Sequence, residues 1–311
     1  MFKNKNYVLE VYKKGSFSRA AESLYVSQPS LSASIKRIED KIKAPIFDRS
    51  TNPITLTEIG KEYVRYALEI DNKERDFERY VLDSDHLLTG TIKLGGSSLF
   101  SSFMLPKIIS NFKQKHPEIN FEVVEDSTKN LMQKLSHGDI DIVIDNVKIS
   151  SDDITANTYT EETLLLAVPN TFSINPRLKD YVLSGDDIKN GKHLTDAKAV
   201  SITEFKDLPF ILLNPENDTG KRALKIFNKH GITPNVVFNL DQQVTAFNLS
   251  GTGIGVSFIS DTLIKNVSNN PSLCYFKLKD KETLRSVYLY KKTNRYLSHA
   301  CQEFIKESLE S

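Results

Sequence analysis

Residues Gly15–Arg49 read GSFSRAAESLYVSQPSLSASIKRIEDKIKAPIFDR. This stretch decides the fold of the N-terminal part. Gly15 can close a first helix in the left-handed conformation that other residues resist, and Ser18 is expected to cap the helix that follows. Ser27 is expected to cap a third helix, with Gln28 and Pro29 in a first turn whose amides have no partner inside the helix. Leu31, Ile35, Ile38 and Ile42 recur at helical spacing and form an inward face. The opposite side is read as Gln28, Ser30, Ser32, Ala33, Ser34, Lys36 and Arg37, small or polar residues that let a helix enter a major groove. Gln28, Ser30, Ser32 and Ser34 are the candidates for base contact, with Ser32 the best single one. Lys36, Arg37 and the wing residue Arg49 are the candidates for phosphate contact. Arg37 has an alternative partner in Glu39 or Asp40, and Arg49 has one in Asp48.

The order GSFSRAAESL (15–24), SQPSLS (27–32), Ile35-x-x-x-Glu39, IFDR (46–49) and LTEIG (56–60) resembles the N-terminal domain of the LysR-type transcriptional regulators. The resemblance implies an all-α winged helix-turn-helix that reads double-stranded DNA, assembled as a dimer of dimers on an interrupted inverted repeat. The partners it implies are DNA, a small-molecule effector, further copies of the chain and RNA polymerase. Two departures bear on readout. Ala33 and Ser34 stand where family members often carry a long Arg or Gln, and the wing reads SerThrAsnProIleThr (50–55) without the usual arginines. Direct base and phosphate contacts are therefore expected to be few, with more of the specificity in DNA shape.

Charge agrees with this placement. Residues 1–60 hold ten Lys or Arg against six Asp or Glu, a net of +4, so the rest carries −3 of the chain's +1. No basic start runs into an apolar segment and no stretch is long enough to span a bilayer, so a cytoplasmic protein without a membrane partner is expected. Cys274 and Cys301 have no close pairing, and the six histidines show no zinc-site spacing. No metal or other cofactor is expected.

Thr57 is expected to cap a long helix from Glu58 to about Leu87. Tyr63, Tyr66, Ile70, Phe77 and Tyr80 fall near heptad a and d positions, with Lys73 interrupting, so this stripe needs a partner. From Thr91, short strands alternate with helices, the pattern of parallel strands with crossover helices. A helix is expected over Phe103–Lys115. Together with the resemblance, the expected fold is α/β with an N-terminal all-α winged helix-turn-helix and a two-lobed, periplasmic-binding-protein-like (type 2) effector domain. The domains are 1–58 (reader), 59–89 (linker and dimerisation helix) and 90–311 (effector binding). The last divides into lobe I, about 90–162 and 268–311, and lobe II, about 163–267. Residues 173–200 form a polar stretch read as either a surface insertion or a lid.

Open parallel sheets bind ligands at the carboxyl ends of their strands. Ser97, Ser98, Thr128 and Asn146 lie there in the first lobe, and Asn214, Thr219 and Gln243 in the second. These are neutral hydrogen-bonding groups, so the expected effector is a small carboxylate held by hydroxyls and backbone amides. Gly251, Gly253 and Gly255 suggest a dinucleotide loop, but the run enters strand-like VSFI and reads instead as a tight turn into a lobe-crossing strand. The expected function is ligand-responsive, DNA-binding transcription regulation without enzymatic activity. The alternative is a bilobal α/β enzyme or solute receptor with an appended helical domain.

Overall fold

The computed structural model describes residues 1–83 and 90–310, and the chain divides into two units, Met1–Asp85 and His86–Ser311. In the first, α1 (Lys5–Lys14) ends at Gly15, whose φ of 61° turns its amide onto the Val11 carbonyl. The helix α2 (Phe17–Ser23) is capped by Ser16, which accepts from the Arg19 amide. The cap thus precedes the expected Ser18, because the residue after the left-handed glycine is already extended (φ −158°, ψ 131°) as a cap requires. Ser27 caps α3 (Gln28–Ile42), accepting from the Ser30 amide, with Pro29 in the first turn. Leu31, Ile35 and Ile38 are buried against Val8, Val11, Phe17 and Ala20, and Ile42 packs at the margin of this core.

Strands β1 (Phe47–Asp48) and β2 (Thr55–Leu56) form the antiparallel wing, with Phe47 opposite Leu56. Thr57 caps α4 (Glu58–Leu82), accepting from the Gly60 amide at 2.9 Å. A β-carbon on Gly60 would lie 2.0 Å from the Ile46 carbonyl oxygen, which accounts for glycine closing the LTEIG run. The 25 residues of α4 give a rod of roughly 37 Å. Its expected continuation to Leu87 falls on residues 84–89, outside the described residues.

The second unit begins with β3 (Gly90–Gly96), α5 (Ser98–Phe103), α6 (Leu105–Lys115), β4 (Ile119–Glu125), α7 (Thr128–His137) and β5 (Ile142–Asp145). Strand β3 pairs in parallel with both β4 and β5. The helix expected over Phe103–Lys115 is α6, which starts at Leu105; Phe103 instead ends the separate α5, because Pro106 sits in the first turn of α6 and cannot continue a preceding helix. Next comes β6 (Ile154–Pro169), 16 residues long.

Beyond it lie α8 (Gly185–Lys189), α9 (Lys192–Thr195), β7 (Ala199–Val200), β8 (Pro209–Leu213), α10 (Asp218–Lys229) and β9 (Asn235–Leu240). The chain then forms α11 (Gln243–Gly251), β10 (Val256–Ser260), α12 (Asp261–Asn266), β11 (Leu273–Leu278), β12 (Leu284–Lys292) and α13 (His299–Glu310).

The strands run in the order β4-β3-β5-β12-β6-β10-β8-β9, with β11 also on β6 and β7 on β11. Two lobes share β6. Its first part, from Ile154 to Thr163, pairs with β12, and its second part, from Leu164 onward, pairs with β10 and β11. The chain passes to the second lobe along β6 and returns between β11 and β12. The glycine run before β10 is the expected turn, with Gly253 at φ 85°. However, β10 lies inside the second lobe between β6 and β8, and β6 is the crossing strand. The polar stretch 173–200 is a packed surface element: Leu178, Leu183, Ile188 and His193 are buried, and none of its residues lines the cleft between the lobes.

Candidate functional site

Two surfaces carry the residues singled out by sequence. On α3, Gln28, Pro29 and Ser30 are exposed and Ser32 is half-exposed. The Gln28 amide donates to the Ser32 hydroxyl at 3.2 Å, which sets both side chains on the outer face. Lys36 and Arg37 are exposed, and among the described residues neither forms an ion pair, so the alternative of Arg37 with Glu39 or Asp40 is absent. Ser34 is a correction. It is 8% exposed, because it lies three residues after Leu31 and four before Ile38 and so shares their inward face.

Arg49 is also differently placed. Its guanidinium meets Glu39 at 3.0 Å, not Asp48, and lies 5.0 Å from the Phe17 ring centroid. Glu39 ties the wing to α3, accepting from the Ile46 amide at 2.8 Å while its other oxygen takes Arg49. From sequence Glu39 is expected only as part of the motif and as an alternative partner of Arg37, not as the residue that holds the wing. Tyr25, which no sequence signal singles out, occupies the turn between α2 and α3 at φ 54° and is 96% exposed.

Along α4, Tyr66, Phe77 and Tyr80 are exposed and Ile70 is half-buried. Tyr63 departs from the expected stripe. It is buried in the core of the first unit and stacks on Phe2 with ring centroids 4.9 Å apart, where burial pushes its hydroxyl up to about 12.

The second surface is a cleft of about 410 Å³ between the lobes. Ser97, Ser98, Thr128, Asn146, Asn214 and Gln243 all line it. Topology brings them together: each follows the carboxyl end of a strand, and those ends meet at the cleft. Thr219 does not line it. It is 2% exposed and sits behind the wall, where its hydroxyl accepts from Arg285 at 2.9 Å and from Gln243 at 3.0 Å.

The expectation of a neutral lining fails. Glu125, Asp126 and Asp145 line one wall and Glu216, Asp218 and Asp241 the other, with Lys129 the cation among the lining residues. Each acidic residue stands within three positions of a neutral one already chosen, at the same strand ends (VVED, VIDN, LLNPEND, NLDQQ). Position along the chain cannot say which neighbour turns inward. Asp126 is held down to about 2 by hydrogen bonds from Lys134 and Asn130. Burial pushes the Asp145 carboxyl up, against hydrogen bonds from the Val147 amide and the Thr128 hydroxyl.

Behind the cleft, a buried polar chain links the lobes. Asn146 donates to Glu162 on β6 at 3.4 Å, and Glu162 takes Arg285 on β12 at 2.6 Å. Arg285 then reaches Asp218 at 3.0 Å as well as Thr219. Gln243 completes the chain, donating to Thr219 and accepting from the Ser260 amide at 2.9 Å. A group touching Asn146 or Gln243 therefore lies one hydrogen bond from the strands that join the lobes.

A winged helix-turn-helix unit and a bilobal α/β unit with a cleft at its strand ends define a DNA-binding regulator with a ligand-binding domain. Residues 3–61 match the bacterial regulatory helix-turn-helix proteins of the lysR family, and residues 85–311 match the LysR substrate binding domain. The chain belongs to the LysR family of transcriptional regulators. It is 27% identical over 306 residues to a probable RuBisCO transcriptional regulator of Gracilaria tenuistipitata var. liui, covering 96% of this chain and 92% of the relative. A full-length OxyR variant from Pseudomonas aeruginosa shares the fold with a TM-score of 0.66 at 19% identity, covering 99% of this chain and 97% of that one. Full-length CbnR, solved with its target DNA, gives a TM-score of 0.59 at 16% identity, covering 100% and 99%. The two-lobed unit is thus of the type 2 periplasmic-binding-protein-like kind. Among the described residues no helix is long and apolar enough to cross a membrane.

Proposed function

We propose that this regulator reads an interrupted inverted repeat in duplex DNA through α3 and the wing, as a cytoplasmic dimer of dimers that contacts RNA polymerase and has no enzymatic activity. The reader is assigned to 1–58, the linker to 59–89 and the effector part to 90–311, with lobes 90–162 plus 268–311 and 163–267. The observation that carries the reading is the outer face of α3. Gln28, Ser30 and Ser32 are presented to solvent beside the unpaired cations Lys36 and Arg37, and nothing within the first unit covers them. Exposed polar groups flanked by free cations are what major-groove readout needs. The exposed aromatics Tyr66, Phe77 and Tyr80 on α4 support pairing with a second copy.

The small-molecule effector is assigned to the interlobe cleft. It regulates by binding one arrangement of the lobes and of the assembly more tightly than the other, and the Asn146–Glu162–Arg285 chain is the element that responds. The test is fluorescence anisotropy of the full-length protein on the DNA upstream of its own gene against shuffled DNA, at two salt concentrations. Tighter binding to the native fragment that persists at the higher salt supports sequence-specific regulation. Equal and steeply salt-dependent binding to both reduces the surface to phosphate attraction and overturns the reading.

A further inference from the structure

The charge of the cleft selects a class of ligand. This inference rests on the assignment of the effector to that cleft and changes what kind of molecule enters it. Besides the six lining carboxylates, the buried Glu162 stands one hydrogen bond behind the wall at Asn146. Against these seven stand Lys129 on the wall, Lys134 on Asp126, Arg222 on Asp218, and Arg285 shared by Glu162 and Asp218. Seven carboxyl groups against four cations leave the cleft with an acidic excess. Among the described residues Glu125 and Glu216 form no ion pair, and Asp241 is held by the neutral Asn214 amide.

Asp145 adds an independent observation. Its side chain lines the cavity yet is 1% exposed, and it receives neutral donors, the Thr128 hydroxyl at 2.8 Å, the Val147 amide at 2.9 Å and the Asn146 amide. No cation stands within ion-pair distance of it among the described residues. A carboxylate taken out of water without a counter-ion is costly, and a ligand cation placed beside it offsets that cost. The same wall repels a simple organic anion. A metal ion fits less well, because no group of three or more His, Cys, Asp or Glu side chains among the described residues converges closely enough to hold one. Carboxylates spread over both walls suit an extended organic cation instead.

We propose that the cleft binds a small organic cation whose recognised group is a protonated amine. The amine sits among Asp145, Glu216 and Asp241, and its charge offsets the mutual repulsion of the two acidic walls. The source of the amine is either a plain diamine or an amino acid with a basic side chain, whose carboxylate would meet the start of α11, where no side chain caps the first turn.

The test is isothermal titration calorimetry on the full-length protein with three matched probes: 1,4-diaminobutane, L-ornithine and succinate. Both amines are expected to bind and succinate is not. Tighter binding of L-ornithine marks the amino-acid source, and equal or tighter binding of 1,4-diaminobutane marks the diamine source. Glu216→Gln with Asp241→Asn, both at exposed positions, weakens amine binding at least tenfold with unchanged circular dichroism. Succinate binding in place of the amines overturns the charge assignment and leaves the cleft as the effector site. Amine affinity unchanged in the double variant, or silence from both amines, also overturns it. Ser98→Trp fills the cleft, and binding of any probe that survives it overturns the cleft assignment itself.

Discussion

Arg285→Met tests the buried polar chain that joins the cleft wall to β6 and β12. The side chains of Arg285 and Glu162 are both fully buried and meet at 2.6 Å. With Arg285 gone, Glu162 keeps only the Asn146 amide at 3.4 Å, and one of its oxygens already lacks a hydrogen-bond partner. Removing one member of a buried ion pair leaves an uncompensated charge and costs roughly 3–5 kcal/mol. That is a large share of the roughly 5–15 kcal/mol by which a domain is stable. For a unit of this size it lowers the melting temperature by roughly 6–20 °C. Asp218 contributes less to the loss because Arg222 still holds it at 2.6 Å.

The assay is thermal unfolding of the full-length chain by circular dichroism, comparing wild type, Arg285→Met and the pair Glu162→Gln with Arg285→Met. The pair removes the stranded charge while keeping an acceptor for Asn146, so it recovers at least half of the loss. A single variant that costs less than about 1 kcal/mol, or a pair no more stable than the single, would refute the reasoning.

Four further outcomes are expected. Ser27→Ala removes the cap of α3 and costs about 1 kcal/mol in the urea unfolding of the first unit. Gly60→Ala drives a β-carbon to 2.0 Å from the Ile46 carbonyl, so it costs at least about 1–3 kcal/mol and lowers the melting temperature although alanine is the better helix former. Lys36→Ala lowers the slope of log affinity against log salt by about 0.9 per reader, measured by anisotropy on the operator. Asp126 has a folded pKa of about 2, below its unfolded value, so it contributes stability that is present above about pH 4 and is lost as pH falls toward 2. In acid titrations of stability, Asp126→Asn therefore flattens that window and leaves the slope above about pH 5 unchanged.

What could be read from the chain alone follows the range of the interactions involved. The α3 start was legible because a cap, a proline and a hydrophobic repeat act within a few residues: Ser27, Pro29 and Leu31–Ile35–Ile38 stand as read. Ser34 was misassigned because a small polar residue carries no signal of burial, and only its phase against Leu31 and Ile38 places it inside. The length of β6 was hidden because its first half, with the sequence ITANTYTEET, alternates weakly and gains its strand character from the partner β12, more than a hundred residues later.

The cleft shows the same limit more sharply. Strand ends were legible, so six of seven chosen residues line it, yet the lining is acidic where a neutral one is expected. Hydroxyls and amides at a strand end carry an expectation of ligand contact, and the acids beside them do not. Acids at loop starts usually face water, and nothing in VVED or NLDQQ tells that two lobes bring these ends face to face. Charge summed along a chain is local, while the field in a cleft is set by which ends the topology joins. The net −3 of residues 61–311 is small. The convergence of six strand-end carboxylates on about 410 Å³ nonetheless makes acidity the dominant property of the cleft.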